Sequence, residues 1–351
     1  MREPAIPSRP EELTAEWMSE VMGDWAEEVT VSPVGTGQTG ATYRVARGNA
    51  ASLIAKLSSQ DAAVRERVAL GYRAEHAFYT RVAATLAVPV PDCVHCAISD
   101  DAKDFVLVMD DMEPAVQGDQ IKGCDDIEAS LAVQALAGLH GPRWCDPEWL
   151  NFDGLTMPMA DATFAAGMQE LAKAALSMTL NTVGKRLKWI DCTTLEEYVE
   201  LVEHWLLLRP NRYCLLHGDY RADNLLFNPD RTRVTVIDWQ TLTVGLPARD
   251  LAYFLGTSLA SQHRRSQEQR LVKLYHVSLV SEGVAGYDLE TCWEEYCLAM
   301  LQVPFITTLG AAFSANSDRG DEMIVTMLAR GCRAIRDLRT IELVKASVPE
   351  G

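Results

Sequence analysis

The sequence predicts an α+β fold of two lobes, a small antiparallel-sheet N-lobe followed by a larger helical C-lobe. Two patterns point to it. Between Val29 and Leu57 apolar residues fall in short runs separated by Gly-rich or Gly-Asn turns, the signature of antiparallel strands. Beyond about Asp119 they recur mostly at helical spacing. A chain of 351 residues, 48% hydrophobic and 23% charged, is long enough to bury a core in each lobe.

Taken in order, Leu13, Trp17, Met18, Val21 and Trp25 predict an amphipathic helix within Pro10 to Val29. Val29, Val31, Tyr43, Val45, Leu53, Ile54 and Leu57 belong to strands. A helix is expected from Gly71 to Leu86, stopped by Pro89 and Pro91. Strands at Cys93 to Ile98 and Phe105 to Met109 flank the turn Ser99-Asp100-Asp101. The segment Glu113 to Gly118 reads as a hinge, giving an N-lobe at 1–112, a hinge at 113–118 and a C-lobe at 119–351. In the C-lobe, helices are expected around Leu131 to Leu139 and through 161–183, 194–208, 248–281, 288–312 and 319–345. One hairpin interrupts them, with strands Leu225-Leu226-Phe227 and Val234-Thr235-Val236-Ile237 around Asn228-Pro229-Asp230.

Charge narrows the function classes. With 32 Lys+Arg against 49 Asp+Glu, the formal charge is -17, which disfavours nucleic acid and anionic membrane as partners. No apolar run approaches the ~20 residues of a membrane span, and MREPAIPSRPEEL lacks the apolar stretch of a secretory signal. Nine cysteines are an odd count, and Cys93 and Cys96 form the only C-x-x-C, with no partner at zinc spacing. Reduced thiols packing as small hydrophobes in a cytoplasmic protein, monomer or homodimer, fit this best.

The chemistry concentrates in His217-Gly218-Asp219-Tyr220-Arg221-Ala222-Asp223-Asn224, followed after the hairpin by Ile237-Asp238-Trp239. A carboxylate and an amide on one short loop, with a second carboxylate ending the next strand, can converge on one point. Phosphoryl transfer from a nucleotide uses that set: Asp219 as base, Asn224 and Asp238 as Mg2+ ligands. Upstream, Gly35-Thr36-Gly37-Gln38-Thr39-Gly40 is a G-x-G-x-x-G that runs into the strand Tyr43-Arg44-Val45. A dinucleotide-binding turn would open a helix, so a glycine hairpin over phosphates, using Gly37, Gln38, Thr39 and Gly40, fits better. Lys56 stands in the apolar strand Leu53-Ile54-Ala55-Lys56-Leu57, where a charge requires a partner.

The H-G-D-x-x-x-x-N string at His217, Gly218, Asp219 and Asn224, with Asp238 on the next hairpin, resembles the aminoglycoside phosphotransferase and choline-kinase-like superfamily of protein-kinase-like fold. The Asp238-Trp239-Gln240 ending and the E-x-x-F-Y string at Glu75, Phe78 and Tyr79 look most like its ecdysteroid-kinase-like branch. The resemblance implies that Lys56 contacts the α/β-phosphates and pairs with Glu75 rather than Glu66. It also implies that Asp110 C=O and Met112 N–H read adenine, with Met109 packed behind the base. ATP or GTP would be the donor, and His217 would brace the loop. Asp250 would cap the helix beginning at Arg249 and hold the loop.

Only about a dozen residues separate Asp238 from that helix, and no A-P-E follows. Protein kinases lay out a peptide on a longer segment, so a small hydroxyl compound is the expected acceptor. Glu294, Glu295, Asp321 and Glu322 would suit an amine, as in an aminoglycoside kinase. Trp293, Tyr296, Phe305 and Phe313 would suit an apolar alcohol, toward which the Trp-Gln and Phe-Tyr strings lean. A catalytically silent nucleotide-binding regulator is the alternative from another class.

Overall fold

The computed structural model describes residues 4–23, 28–34, 40–48, 50–313 and 317–347. Strands β1 (Thr30–Pro33), β2 (Gly40–Arg47), β3 (Ala50–Ser58), β4 (Cys93–Ile98) and β5 (Phe105–Asp110) form an antiparallel sheet in the order β1-β2-β3-β5-β4. Alternation along β5 buries both of its faces. Val106 and Val108 pack with Leu13, Trp17 and Met18, the last two on helix α1 (Ala15–Met22). Phe105, Leu107 and Met109 turn the other way, into the large core with Tyr72 and Phe78.

The helix expected at 71–86 is more segmented. Helix α2 (Ala62–Arg67), which holds Glu66, precedes α3 (Ala69–Ala77), and the chain continues as a π-helical turn over Phe78–Val82 and a 3-10 turn over Ala83–Thr85. Beyond β5 the expected hinge is partly ordered on the C-terminal side. Strand β6 (Val116–Gln117) pairs with β8 (Leu225–Phe227), and β8 with β9 (Val234–Val236). Strand β7 (Cys214–Leu216), leading into the loop His217 to Asn224, pairs with β10 (Thr243–Gly245).

The helical part comprises α4 (Asp126–His140), α5 (Ala162–Val183), α6 (Trp189–Val199), α7 (Val202–Leu206), α8 (Ala248–Ser258), α9 (Ser261–Ser281), α10 (Leu289–Ala299), α11 (Gln302–Phe313), α12 (Asp318–Leu338) and α13 (Thr340–Ala346). Four stretches expected as single helices are each broken in two. The breaks at Leu201, Leu259 and Leu301 carry buried leucines, so apolar periodicity runs through the turn and hides it. At the fourth, Arg339 sits at φ 55°. One continuous core joins the β5 face and α3 to the helices as far as α13. No helix among the described residues is long and apolar enough to cross a membrane.

Candidate active site

The site is assembled where the inner face of the sheet, α3 and the β7–β10 segment meet. The interior strand β3 buries Lys56, whose Nζ lies 2.8 Å from Glu75 Oε2 on α3 and 2.9 Å from Asp238 Oδ1. Burial opposes the Lys56 charge, but the attraction of Asp238 and Glu75 outweighs it and holds the ammonium above the usual lysine range. Partial burial likewise opposes ionisation of Asp238, yet Lys56, with Arg221, draws its carboxyl below the ordinary value. Glu75 also accepts from Gln240 Nε2 at 3.1 Å and from Trp239 N–H at 3.4 Å.

These contacts give the Asp-Trp-Gln and Glu-x-x-Phe-Tyr strings a physical meaning. The Trp239 ring is fully buried and stacks on Phe78, with centroids 3.6 Å apart and planes 7° apart. Gln240 bonds Glu75, and Tyr79 donates to Met109 Sδ at 3.8 Å. The residues after Asp238 therefore clamp α3 and keep Glu75 against Lys56.

The loop after β7 is held from below. Asp250, fully buried in the first turn of α8, accepts from His217 N–H at 2.7 Å and Gly218 N–H at 3.1 Å. It braces the loop as the sequence suggested, whereas Pro247 occupies the N-cap position of α8. Gly218 has φ 82°, and a Cβ there would stand 2.2 Å from Thr241 O, so the position requires glycine. His217 Nδ1 accepts from Asp219 N–H at 3.3 Å and Nε2 donates to Ile237 O at 3.0 Å, a bracing role that leaves neither nitrogen for proton transfer. Replacing Asp250 by Ala leaves two buried N–H groups unpaired and is expected to lower stability by about 3 kcal/mol. Urea denaturation measures it.

Asp219 meets four donor contacts. Asn224 Nδ2 donates to its Oδ2 at 3.0 Å and Tyr253 OH to its Oδ1 at 2.9 Å. Arg221 Nε lies 2.9 Å from Oδ2 and 3.1 Å from Oδ1. Arg221 also bonds Asp223 at 2.9 Å and touches Met323 Sδ of α12 at 3.2 Å. Burial and the Asp219 charge push the Tyr253 hydroxyl well above its usual pKa, so it stays protonated and donates. Tyr253 and Arg221 are the site residues that motif reading passed over. Asn224 C=O accepts from Ile237 N–H at 3.0 Å, which ties the Asp219–Asn224 pair to the strand end that carries Asp238. Asp238 itself has φ 68°, a left-handed conformation that Asp tolerates better than most residues.

Of the other expected site residues, Gly37, Gln38 and Thr39 lie outside the described residues, and Gly40 opens β2 opposite Ser58. The glycine string thus falls between two paired antiparallel strands, β1 and β2, whereas a dinucleotide-binding turn is followed by a helix. Asp110 ends β5 next to β3, and Met112 C=O accepts from Ala115 N–H at 2.8 Å in the following turn. The Asp111 carboxylate is committed to Arg44 and Ser52, each at 2.6 Å.

A strand-rich N-terminal sheet, a mainly helical remainder and a lysine–glutamate pair facing an H-G-D loop characterise a phosphotransferase acting on hydroxyl groups of small molecules. The chain belongs to the phosphotransferase enzyme family APH, whose sequence pattern matches residues 30–289. Among solved structures, a putative aminoglycoside phosphotransferase from Ralstonia eutropha JMP134 has the same fold. It is 17% identical, with a TM-score of 0.58 over 92% of this chain and 97% of that one. Acyl-CoA dehydrogenase family member 10 of Mus musculus is 44% identical over 59 residues, 16% of this chain and 6% of that protein. Acyl-CoA dehydrogenase family member 11 of Homo sapiens is 39% identical over 61 residues, 16% of this chain and 8% of its own length. The matched segment is therefore a small part of either relative.

Proposed function

We propose that the protein is a Mg2+-dependent kinase that moves the γ-phosphate of ATP to a hydroxyl of a small alcohol, with Asp219 as base. The observation that carries this reading is the Asp219–Asn224 contact tied to the Lys56–Glu75–Asp238 cluster. Lys56 binds the α/β-phosphates, Gly37 to Gly40 cover them, and Asp110 C=O and Met112 N–H read the base. Asp219 takes the hydroxyl proton as the acceptor oxygen attacks the γ-phosphorus. Arg221 offsets the charges of Asp219 and Asp223.

The donor set suits the metal. Lys56 bonds Oδ1 of Asp238, leaving Oδ2, and Asn224 uses Nδ2 toward Asp219, leaving Oδ1. One carboxylate and one amide oxygen are what Mg2+ takes from a protein when phosphates and water complete its shell. Bound there, Mg2+ neutralises charge on the phosphate oxygens.

Two of the four C-lobe acids are committed elsewhere, whereas Asp321 and Glu322 stand in the first turns of α12, half-buried and exposed respectively. Glu295 is fully buried and bonded to Arg212 at 2.7 Å and Tyr287 OH at 3.0 Å, and Glu294 pairs with Arg209 at 3.1 Å. Of the aromatic candidates, Tyr296 and Phe305 are in the core and Trp293 is half-buried against it, while the side chain of Phe313 lies outside the described residues. The N-terminal part of α12, where Met323 meets Arg221 and Arg319 lies 3.7 Å from Asp223, is the element nearest the loop that an acceptor would pass. This wall carries Asp321 and Glu322 beside Met323, so an amine-bearing alcohol and an apolar one both find matching groups there.

The test is a screen with Mg-ATP, and with Mg-GTP in parallel, against amino alcohols, an aminoglycoside, a macrolide, a sterol and hydroxyacyl thioesters. The last class follows from the acyl-CoA dehydrogenase names of the relatives. A product heavier by one phosphoryl group, absent with Asp219→Asn, supports the reading. Tight Mg-ATP binding with neither product nor slow ATP hydrolysis would instead indicate the silent regulator. In an active enzyme, Tyr253→Phe removes one hydrogen bond to the base carboxylate and is expected to lower turnover about tenfold. Its nucleotide affinity should be unchanged, as steady-state kinetics and titration would show.

A further inference from the structure

The C-x-x-C string takes no part in phosphoryl transfer, and its placement in the sheet is unusual. In a regular strand, residues three apart face opposite sides. In β4 they do not, because the pairing with β5 slips by one residue between Cys93 and His95. Cys93 then stands opposite Met109 and Cys96 opposite Leu107, and both Met109 and Leu107 face the inner core. The bulge therefore brings the two cysteines onto one face. It compresses them to two strand steps, a Cα separation of roughly 6.6 Å, within reach of a disulfide.

Their environments differ. Cys93 is exposed, whereas Cys96 is half-buried and packs against the core. The closeness of the two sulfurs draws the Cys93 thiol below its usual pKa despite partial burial and, with burial, pushes Cys96 up. An accessible sulfur favoured as thiolate beside a protonated neighbour is the arrangement of an attacking and a resolving thiol. The remaining cysteines lack it. Cys124, Cys214, Cys292, Cys297 and Cys332 are buried, and burial raises their thiols.

We propose that Cys93 and Cys96 form a vicinal dithiol site that hydroperoxides oxidise to a disulfide. The Cys93 thiolate attacks the peroxide, so that an S–O bond forms, the O–O bond breaks and the departing hydroxide or alkoxide takes up the proton Cys93 gave up on ionising, leaving as water or an alcohol. The Cys96 sulfur then attacks Cys93, the S–S bond forms, the S–O bond breaks and the departing hydroxide takes the Cys96 proton as water. Two thiols lose two electrons and the peroxide gains them.

The full chain, briefly treated with hydrogen peroxide, alkylated and digested with trypsin, tests this. Arg81 and Lys103 bracket one peptide, 82–103, that holds both sulfurs. It should appear lighter by two hydrogens, unalkylated, and return to the doubly alkylated form after dithiothreitol. Without peroxide, Cys93 should alkylate about tenfold faster than the half-buried Cys145 and Cys192. Cys96→Ser should instead yield a Cys93 sulfenic acid captured by dimedone, and Cys93→Ser should yield neither product. Cys93 is exposed, so its replacement leaves the fold intact, as circular dichroism would verify. Alkylation of Cys93 no faster than Cys145, or peroxide that oxidises Cys145 and Cys192 before peptide 82–103, would overturn the proposal. These thiol readouts do not depend on turnover and stand apart from the kinase reading.

Discussion

Asp219→Asn is expected to lower turnover by roughly two to four orders of magnitude, the range of a lost general base. The amide keeps the shape of the carboxylate but cannot take the hydroxyl proton. Its NH2 group also faces donors, since Tyr253 OH, Arg221 Nε and Asn224 Nδ2 all point at Asp219. Arg221 keeps its bond to Asp223 at 2.9 Å, so its buried charge remains paired and the variant should fold. Lys56, Glu75 and Asp238 are untouched, so Mg-ATP should still raise the melting temperature as in the parent. Single-turnover assays beside a thermal-shift titration separate these effects. A variant that transfers phosphate at the parental rate would remove Asp219 from the chemistry.

How far the sequence carried depends on whether neighbours in space were neighbours in the chain. The loop His217 to Asn224 and the strand end at Asp238 lie within one short segment, so their convergence was readable. Lys56 and Glu75 were readable because a charge in an apolar strand demands a partner, and the contact is present at 2.8 Å. Tyr253 was not. It belongs to α8, where every residue is buried, so no amphipathic pattern separates a tyrosine that only packs from one that bonds Asp219. Arg221 was hidden differently, since nothing in its neighbours says that its fork turns back onto Asp219. Strands β6, β7 and β10 have two or three residues each, too few to show alternation; their pairing is decided by distant partners. The bulge in β4 is of the same kind, because a one-residue slip against β5 leaves no local signature.

Asp238→Ala should abolish measurable transfer and weaken Mg-nucleotide binding, and the two losses should appear together. Oδ1 of Asp238 holds Lys56 at 2.9 Å, and Oδ2 is the oxygen that would face Mg2+ in the proposed site. Removing a carboxylate from a buried lysine ordinarily strands the charge at a cost of several kcal/mol, but here Glu75 remains at 2.8 Å. Glu75 is in turn fixed by Gln240 and Trp239, so the folded state should survive with a modest loss of stability. Lys56 would then lean wholly on Glu75 and lie less well placed for the phosphates, which adds to the loss of the metal ligand. The informative contrast is with Lys56→Met, which removes the phosphate contact and leaves Asn224 and Asp238 in place. Lys56→Met should weaken ATP binding while the affinity for Mg2+ at saturating nucleotide changes little, whereas Asp238→Ala should raise the Mg2+ requirement steeply at any nucleotide level. Titrating Mg2+ against turnover in both variants reads this difference. An unchanged Mg2+ requirement in Asp238→Ala would place the metal elsewhere and leave Asp238 only as the anchor of Lys56.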